Sequence, residues 1–141
     1  MATGYAVHVV DADATVRDST AALLTLLGHE PVLWESGGQF LARANPRPHE
    51  CILLDVRLSG MGGIEVLGRL GAWGITTPVV MMTGEGQRWL EAEFLERGAV
   101  WVLDKPFALG DLKRALTIAE TAAARLAMLR TGPAPQRVIK G

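Results

Sequence analysis

Asp55 closes the apolar run Cys51-Ile52-Leu53-Leu54 and opens a turn containing Gly60, Gly62 and Gly63. A carboxylate at the end of a buried strand can attack an electrophile or hold a metal ion, and nothing structural asks for an acid directly after four apolar residues. Three other apolar runs also end on polar groups. Val7 to Val10 leads into Asp11 and Asp13, Val79 to Met82 into Thr83, and Val100 to Leu103 into Asp104 and Lys105. In open α/β sheets ligands bind outside the carboxyl ends of the strands. Acids, a hydroxyl and an ammonium gathered there form a set that can receive a phosphate together with a divalent cation.

The elements that must position these groups are legible as alternating patterns. Strand-like runs near 5–10, 31–35, 51–55, 78–82 and 100–104 are separated by segments with helical spacing: Val16, Leu23, Leu24 and Leu27; Phe40 and Leu41; Ile64, Leu67 and Leu70; Leu90, Phe94 and Leu95. This is the pattern of βαβ units wound into a parallel sheet with helices on both faces. Gly28, Gly71 and Gly98 follow three of the helical segments, where a left-handed residue can end a helix, and Pro78 marks entry to a strand. The last helix runs from about Leu109 to Leu129. Leu109, Leu112, Leu116, Ala119, Ala123 and Leu126 alternate steps of three and four, which fits either a helix half-packed on the sheet or a heptad seam. Residues 1–130 are expected to form one domain with an extended last helix. Gly132-Pro133-Ala134-Pro135 cannot continue that helix, so 131–141 is expected to be a flexible tail.

Composition excludes several classes. The chain of 141 residues is 49% hydrophobic and 21% charged, ordinary for a globular domain, and its formal net charge of −1 provides no general attraction to nucleic acid. Its apolar runs are strand-length, well short of the roughly 20 residues that cross a bilayer, and the N-terminus lacks a secretory pattern, so a cytoplasmic protein is expected. The single cysteine, Cys51, lies within an apolar run and reads as a small buried hydrophobe.

Asp11 and Asp13 after the first strand, Asp55 after the third, Thr83 after the fourth and Lys105-Pro106-Phe107 after the fifth together resemble the receiver domain of two-component response regulators. The resemblance covers residues 5 to 120 and implies a flavodoxin-like, doubly wound five-stranded parallel sheet of order 2-1-3-4-5 with five helices. It further implies that Asp55 accepts a phosphoryl group from a sensor histidine kinase, with Mg²⁺ neutralising charge in the acidic pocket. Lys105 would supply a second positive charge; near a protein surface a unit pair about 4 Å apart is worth about 4 kcal/mol before desolvation. Thr83 would turn its hydroxyl to a phosphate oxygen and draw in the loop Gly84-Glu85-Gly86. The Lys105-Pro106 bond is commonly cis in this family. A downstream protein, or a second copy of the chain, would read the switch through the fourth helix, fifth strand and fifth helix.

The chain departs from the family pattern at Ala12, where the second of two adjacent acids usually binds the metal. Two replacements are open: Asp13 reaches the ion, or Asp11, Asp55 and the Arg57 carbonyl hold it with additional waters. Either way weaker Mg²⁺ binding than is typical is expected. Asp13, ahead of Ala14-Thr15-Val16, is also a good helix N-cap. The aromatic switch residue is replaced by Val102, while Trp101 should face the other way by strand alternation. Ser59 stands where a proline is frequent. Trp89, Phe94 and Trp101 either form an aromatic partner surface or pack on the sheet.

Two rival functions compete. Asp11-Ala12-Asp13-Ala14-Thr15 also resembles the DxDxT signature of haloacid-dehalogenase-like phosphatases, in which Asp11 would attack phosphate and Asp13 act as general acid/base. That reading leaves Asp55 without a task. The other rival is a receiver-like binding module that never accepts phosphate, favoured by Ala12 and Val102 and opposed by Asp55, Thr83 and Lys105.

Overall fold

The computed structural model describes residues 4–58, 60–84 and 86–131. Five strands, β1 (Ala6–Val10), β2 (Glu30–Trp34), β3 (Cys51–Asp55), β4 (Val79–Thr83) and β5 (Trp101–Asp104), alternate with α1 (Ala14–Leu26), α2 (Gly37–Arg43), α3 (Gly63–Ala72), α4 (Glu91–Glu96) and α5 (Leu109–Thr131). A short 3-10 turn, Arg88–Leu90, leads into α4. The strands are all parallel in the order β2-β1-β3-β4-β5, the flavodoxin-like arrangement expected from the sequence.

Alternation along the strands divides the core into two layers. Val7, Val9, Leu53, Val80 and Met82 pack with Leu24 of α1 and Leu112, Leu116 and Ala119 of α5. Val10, Ile52, Leu54 and Met81 pack on the other face with Phe40 of α2, Val66 and Leu70 of α3, and Phe94 of α4. Every residue of β3 and β4 is buried, because helices cover both faces of the sheet; this explains their unbroken apolar runs. Cys51 is buried in the first layer as expected, and burial pushes its thiol up to about 12, further from reactivity.

Helix ends follow local chemistry. The Asp13 carboxylate caps α1 by accepting from the Thr15 and Val16 N–H groups, and Ser36 caps α2 by accepting from Gln39 N–H. Gly28 and Gly98 adopt positive φ after α1 and α4, whereas Gly71 lies inside α3 and Gly74 takes the left-handed position. The Lys105-Pro106 bond is cis. In α5 the stripe residues Leu112, Leu116 and Ala119 are buried on the sheet and Ala123 and Leu126 are half-buried, while Met128 and Leu129, off the stripe, are exposed. Among the described residues no helix is long and apolar enough to cross a membrane. Ser59, Glu85 and the tail beyond Thr131 lie outside the described residues.

One polar cluster of the core has no counterpart in the sequence reading. His8 of β1 is buried; its Nδ1 accepts from Trp34 Nε1 at 3.1 Å, and its Nε2 stands 3.0 Å from Glu50 Oε1. The indole can only donate, so Nδ1 carries no proton and Nε2–H donates to Glu50. Both ring nitrogens are satisfied, which makes burial of the imidazole tolerable.

Candidate functional site

The parallel register brings the four polar strand ends to one edge of the sheet. Val10 pairs with Leu54 and Asp55 with Met82, so Asp11 and Asp55 stand side by side; Thr83 pairs with Asp104, which sets Lys105 beside them. Lys105 N–H donates to the Thr83 carbonyl at 2.7 Å, fixing the chain where it leaves β5. From there the Lys105 ammonium reaches back across the mouth of the sheet. Its Nζ lies 2.7 Å from Asp11 Oδ2 and 3.1 Å from Asp55 Oδ1, a bridge between two buried carboxylates.

Each acid is held from more than one side. Asp11 is 1% exposed, its Oδ1 accepts from Asp13 N–H at 2.9 Å, and its carbonyl accepts from Arg17 Nη1 at 2.7 Å. Asp55 is supported by the Arg57 backbone N–H. Gly63, at the start of α3, packs so close behind it that a Cβ there would collide with the Asp55 carbonyl oxygen. The turn after β3 thus needs glycine to bring α3 against the strand end.

The electrostatics suit a nucleophile under charge control. Burial raises the Asp55 carboxyl above its ordinary range; Lys105 opposes this, Asp11 adds to it, and the Arg57 N–H opposes it again. Burial works against the Lys105 ammonium as well, but its hydrogen bond to Asp11 and the charge of Asp55 more than offset that, so Lys105 sits above its ordinary value. The pocket therefore holds a more basic carboxylate beside a cation that stays charged at neutral pH.

The expected site residues do not all converge. Asp11, Asp55 and Lys105 meet directly, and Thr83 is fully buried at the neighbouring strand end. Asp13 is exposed and its carboxylate is turned to the first N–H groups of α1. Among the described residues no group of three or more His, Cys, Asp or Glu side chains is arranged to hold a metal ion. Asp11 and Asp55 place two carboxylates side by side, oxygen ligands suited to a hard cation that keeps several waters, as Mg²⁺ does.

Alternation places Trp101 and Val102 as expected. Trp101 packs on the α5 side, with the Arg114 guanidinium 5.9 Å from its ring centre, and Val102 faces the layer of α3 and α4. Phe94 is fully buried, so Trp89, Phe94 and Trp101 make no shared aromatic surface; Trp89 alone is strongly exposed, at 78%. Two polar partners went unforeseen. Asp104 Oδ1 accepts from the Thr83 hydroxyl at 2.9 Å, and Gln87 Oε1 accepts from Gly84 N–H at 3.1 Å. The first was recoverable from the paired strand ends, since Thr83 and Asp104 are register partners; the second depends on the path of a loop.

Comparisons with known proteins agree with this geometry. The family model described as "Response regulator receiver domain" matches residues 7–117. The tetrathionate response regulatory protein TtrR of Salmonella typhimurium is 37% identical over 123 residues, covering 84% of this chain and 60% of that protein. The transcriptional regulatory protein FixJ of Azorhizobium caulinodans is 41% identical over 101 residues, covering 72% of this chain and 48% of that protein. The chain thus spans about half the length of the curated relatives it matches. Among solved structures, FixJ-N superposes with a TM-score of 0.78 at 32% identity, covering 85% of this chain and 96% of that one. The response regulator StyR superposes with a TM-score of 0.81 at 31% identity, covering 91% of this chain and 65% of that one. With these matches over its whole sheet and pocket, the chain belongs to the response regulator receiver domain family.

Proposed function

We propose that the chain is a phosphoacceptor switch of two-component signalling, in which a sensor histidine kinase transfers a phosphoryl group to Asp55. The P–N bond of a phosphohistidine breaks and a P–O bond forms to the Asp55 carboxylate, leaving an acyl phosphate on the regulator and a free imidazole on the kinase. The observation that carries this reading is the Lys105 ammonium bridging Asp11 and Asp55 at 2.7 and 3.1 Å at the carboxyl ends of the strands. An anionic carboxylate attacks an anionic phosphate only when charge is neutralised and held in place beforehand. Lys105 supplies one such charge. Mg²⁺ would supply the other when bound, held by Asp11, Asp55 and the Arg57 carbonyl; the Asp13 carboxylate is engaged as the cap of α1.

Esterification of Asp55 leaves Lys105 paired with Asp11 and within reach of a phosphoryl oxygen. The Thr83 hydroxyl then turns toward the phosphoryl group and draws the loop after β4 inward. A downstream protein partner or a second copy reads the change at α4, β5 and α5. The family's ring coupling is missing because Val102 stands at its position, so the signal passes through the loop backbone and α4. Residues 1–130 act as one module, expected in the cytoplasm, and its net charge of −1 argues against its own contact with nucleic acid.

Incubation with Mg²⁺ and acetyl phosphate tests this. Intact-mass analysis is expected to show one added phosphoryl group on wild type and none on Asp55→Asn. Modification of Asp11 instead would support the haloacid-dehalogenase-like reading, against which the capping role of Asp13 already speaks. Absence of any response to a phosphoryl mimic would favour a binding module that is never phosphorylated.

A further inference from the structure

Thr83 has one hydroxyl proton, and it is already committed. Its Oγ1 donates to Asp104 Oδ1 at 2.9 Å across the β4–β5 pair, where the two residues are register partners. The other oxygen of Asp104, Oδ2, lies 3.6 Å from Arg88 Nε in the 3-10 turn before α4. The next donor along the chain, Gly84 N–H, is bound by Gln87 Oε1 at 3.1 Å, and Trp89 Nε1 donates to the Gly86 carbonyl at 2.9 Å. Both donors at the end of β4 that could serve a phosphoryl oxygen on Asp55 therefore point to acceptors within the chain. Hydrogen bonds to a charged acceptor are the stronger kind, so releasing the Thr83 proton has a cost.

We propose that Asp104 is a latch: its carboxylate holds the Thr83 hydroxyl away from the pocket, with Arg88 orienting the acid, and the phosphorylated state must displace it. This rests on the phosphoacceptor reading of Asp55 and adds a positioning residue to it. Asp104 touches neither Asp55 nor Lys105 through any contact of the ion-pair bridge; it acts through Thr83. In this chain the coupling left vacant by Val102 is taken by an acid on the neighbouring residue of β5 but one. The resting state is stabilised and the activated state is not, so the latch lowers affinity for any phosphoryl-like group.

Beryllofluoride, a phosphoryl mimic, in saturating Mg²⁺ tests the latch by calorimetric titration, with tryptophan fluorescence, read against a Trp89→Phe control, as a second signal from the loop. Asp104→Ala is expected to bind it about tenfold more tightly than wild type, equivalent to about 1.4 kcal/mol. Asp104→Asn keeps an acceptor without the charge and is expected to gain less; it also carries the test if Asp104→Ala does not fold. The gain should vanish when Thr83 is replaced by valine, because Asp104 then has no proton to hold. An unchanged affinity in Asp104→Ala, or an equal gain in the Thr83→Val background, would overturn the latch while leaving phosphoacceptance at Asp55 standing. No binding to wild type would overturn both. Binding to wild type that is lost in Asp55→Asn separates a failed latch from a failed site.

Discussion

At the scale of single residues, the pocket is a compromise between Asp55, Asp11 and Lys105. Burial, aided by Asp11, raises the Asp55 carboxyl although Lys105 and the Arg57 N–H oppose it. A carboxyl with a raised value binds its proton more tightly in the folded than in the unfolded chain. Its contribution to stability is therefore complete at pH values below the ordinary aspartate range and is lost as pH rises through its own raised value. Asp55→Asn does not titrate. In urea unfolding between about pH 3 and about pH 8 the variant should match wild type at the acid end and become progressively more stable above it. A constant difference across that range would contradict the assignment. Ala12 invites a second test at this scale: Ala12→Asp should tighten Mg²⁺ binding about tenfold, the effect of one well-placed interaction of about 1.4 kcal/mol. Asp13→Ala should instead cost about 1 kcal/mol of stability through loss of the α1 cap, with little change in metal titration.

At the scale of elements, α5 shows how one helix can pass through two environments. Its first half covers the sheet with Leu112, Leu116 and Ala119, and its second half leaves Met128 and Leu129 in solvent. Leu112→Ala removes a fully buried side chain from a packed layer and should cost about 2–5 kcal/mol. Leu129→Ala should stay within about 0.5 kcal/mol. Chemical denaturation of the two variants measures the contrast, and equal effects would mean that the outer half of α5 is buried in solution, for instance against another copy. The turn between β3 and α3 is just as demanding on a smaller length scale. Gly63 has no room for a side chain behind the Asp55 carbonyl, so the start of α3 and the position of Asp55 are set together.

At the scale of the whole molecule, the sheet carries the pocket of Asp11, Asp55 and Lys105 at the carboxyl ends of its strands. Any ligand that binds only the folded state stabilises it by mass action, by about 2.7 kcal/mol at a hundredfold excess over its dissociation constant. Beryllofluoride with Mg²⁺ should accordingly raise the melting temperature of wild type and leave that of Asp55→Asn unchanged. A shift of the same size in both proteins would place the ligand somewhere other than the pocket. The chain spans about half the length of the curated relatives it matches.

Alternating apolar runs, helical spacings and glycine or proline punctuation were enough to determine from the sequence the number and order of elements and the strand ends, and the polar residues at those ends carried the resemblance to the family. Each of these signals is local: it depends on residues within a few positions of one another, and local chemistry is written in order along the chain. Asp55, Asp11 and Lys105 were legible for the same reason, since each closes a strand. Tertiary structure alone showed that Asp13 caps α1, its Oδ1 accepting from Thr15 and Val16 N–H, because a carboxylate's direction is set by the backbone around it. It also separated Phe94 and Trp101, packed in opposite layers, from exposed Trp89. The pairing of Thr83 with Asp104, and the buried His8 between Trp34 and Glu50, arise between residues distant in sequence. Such contacts exist only once the strands are in register, and register is a property of the sheet as a whole.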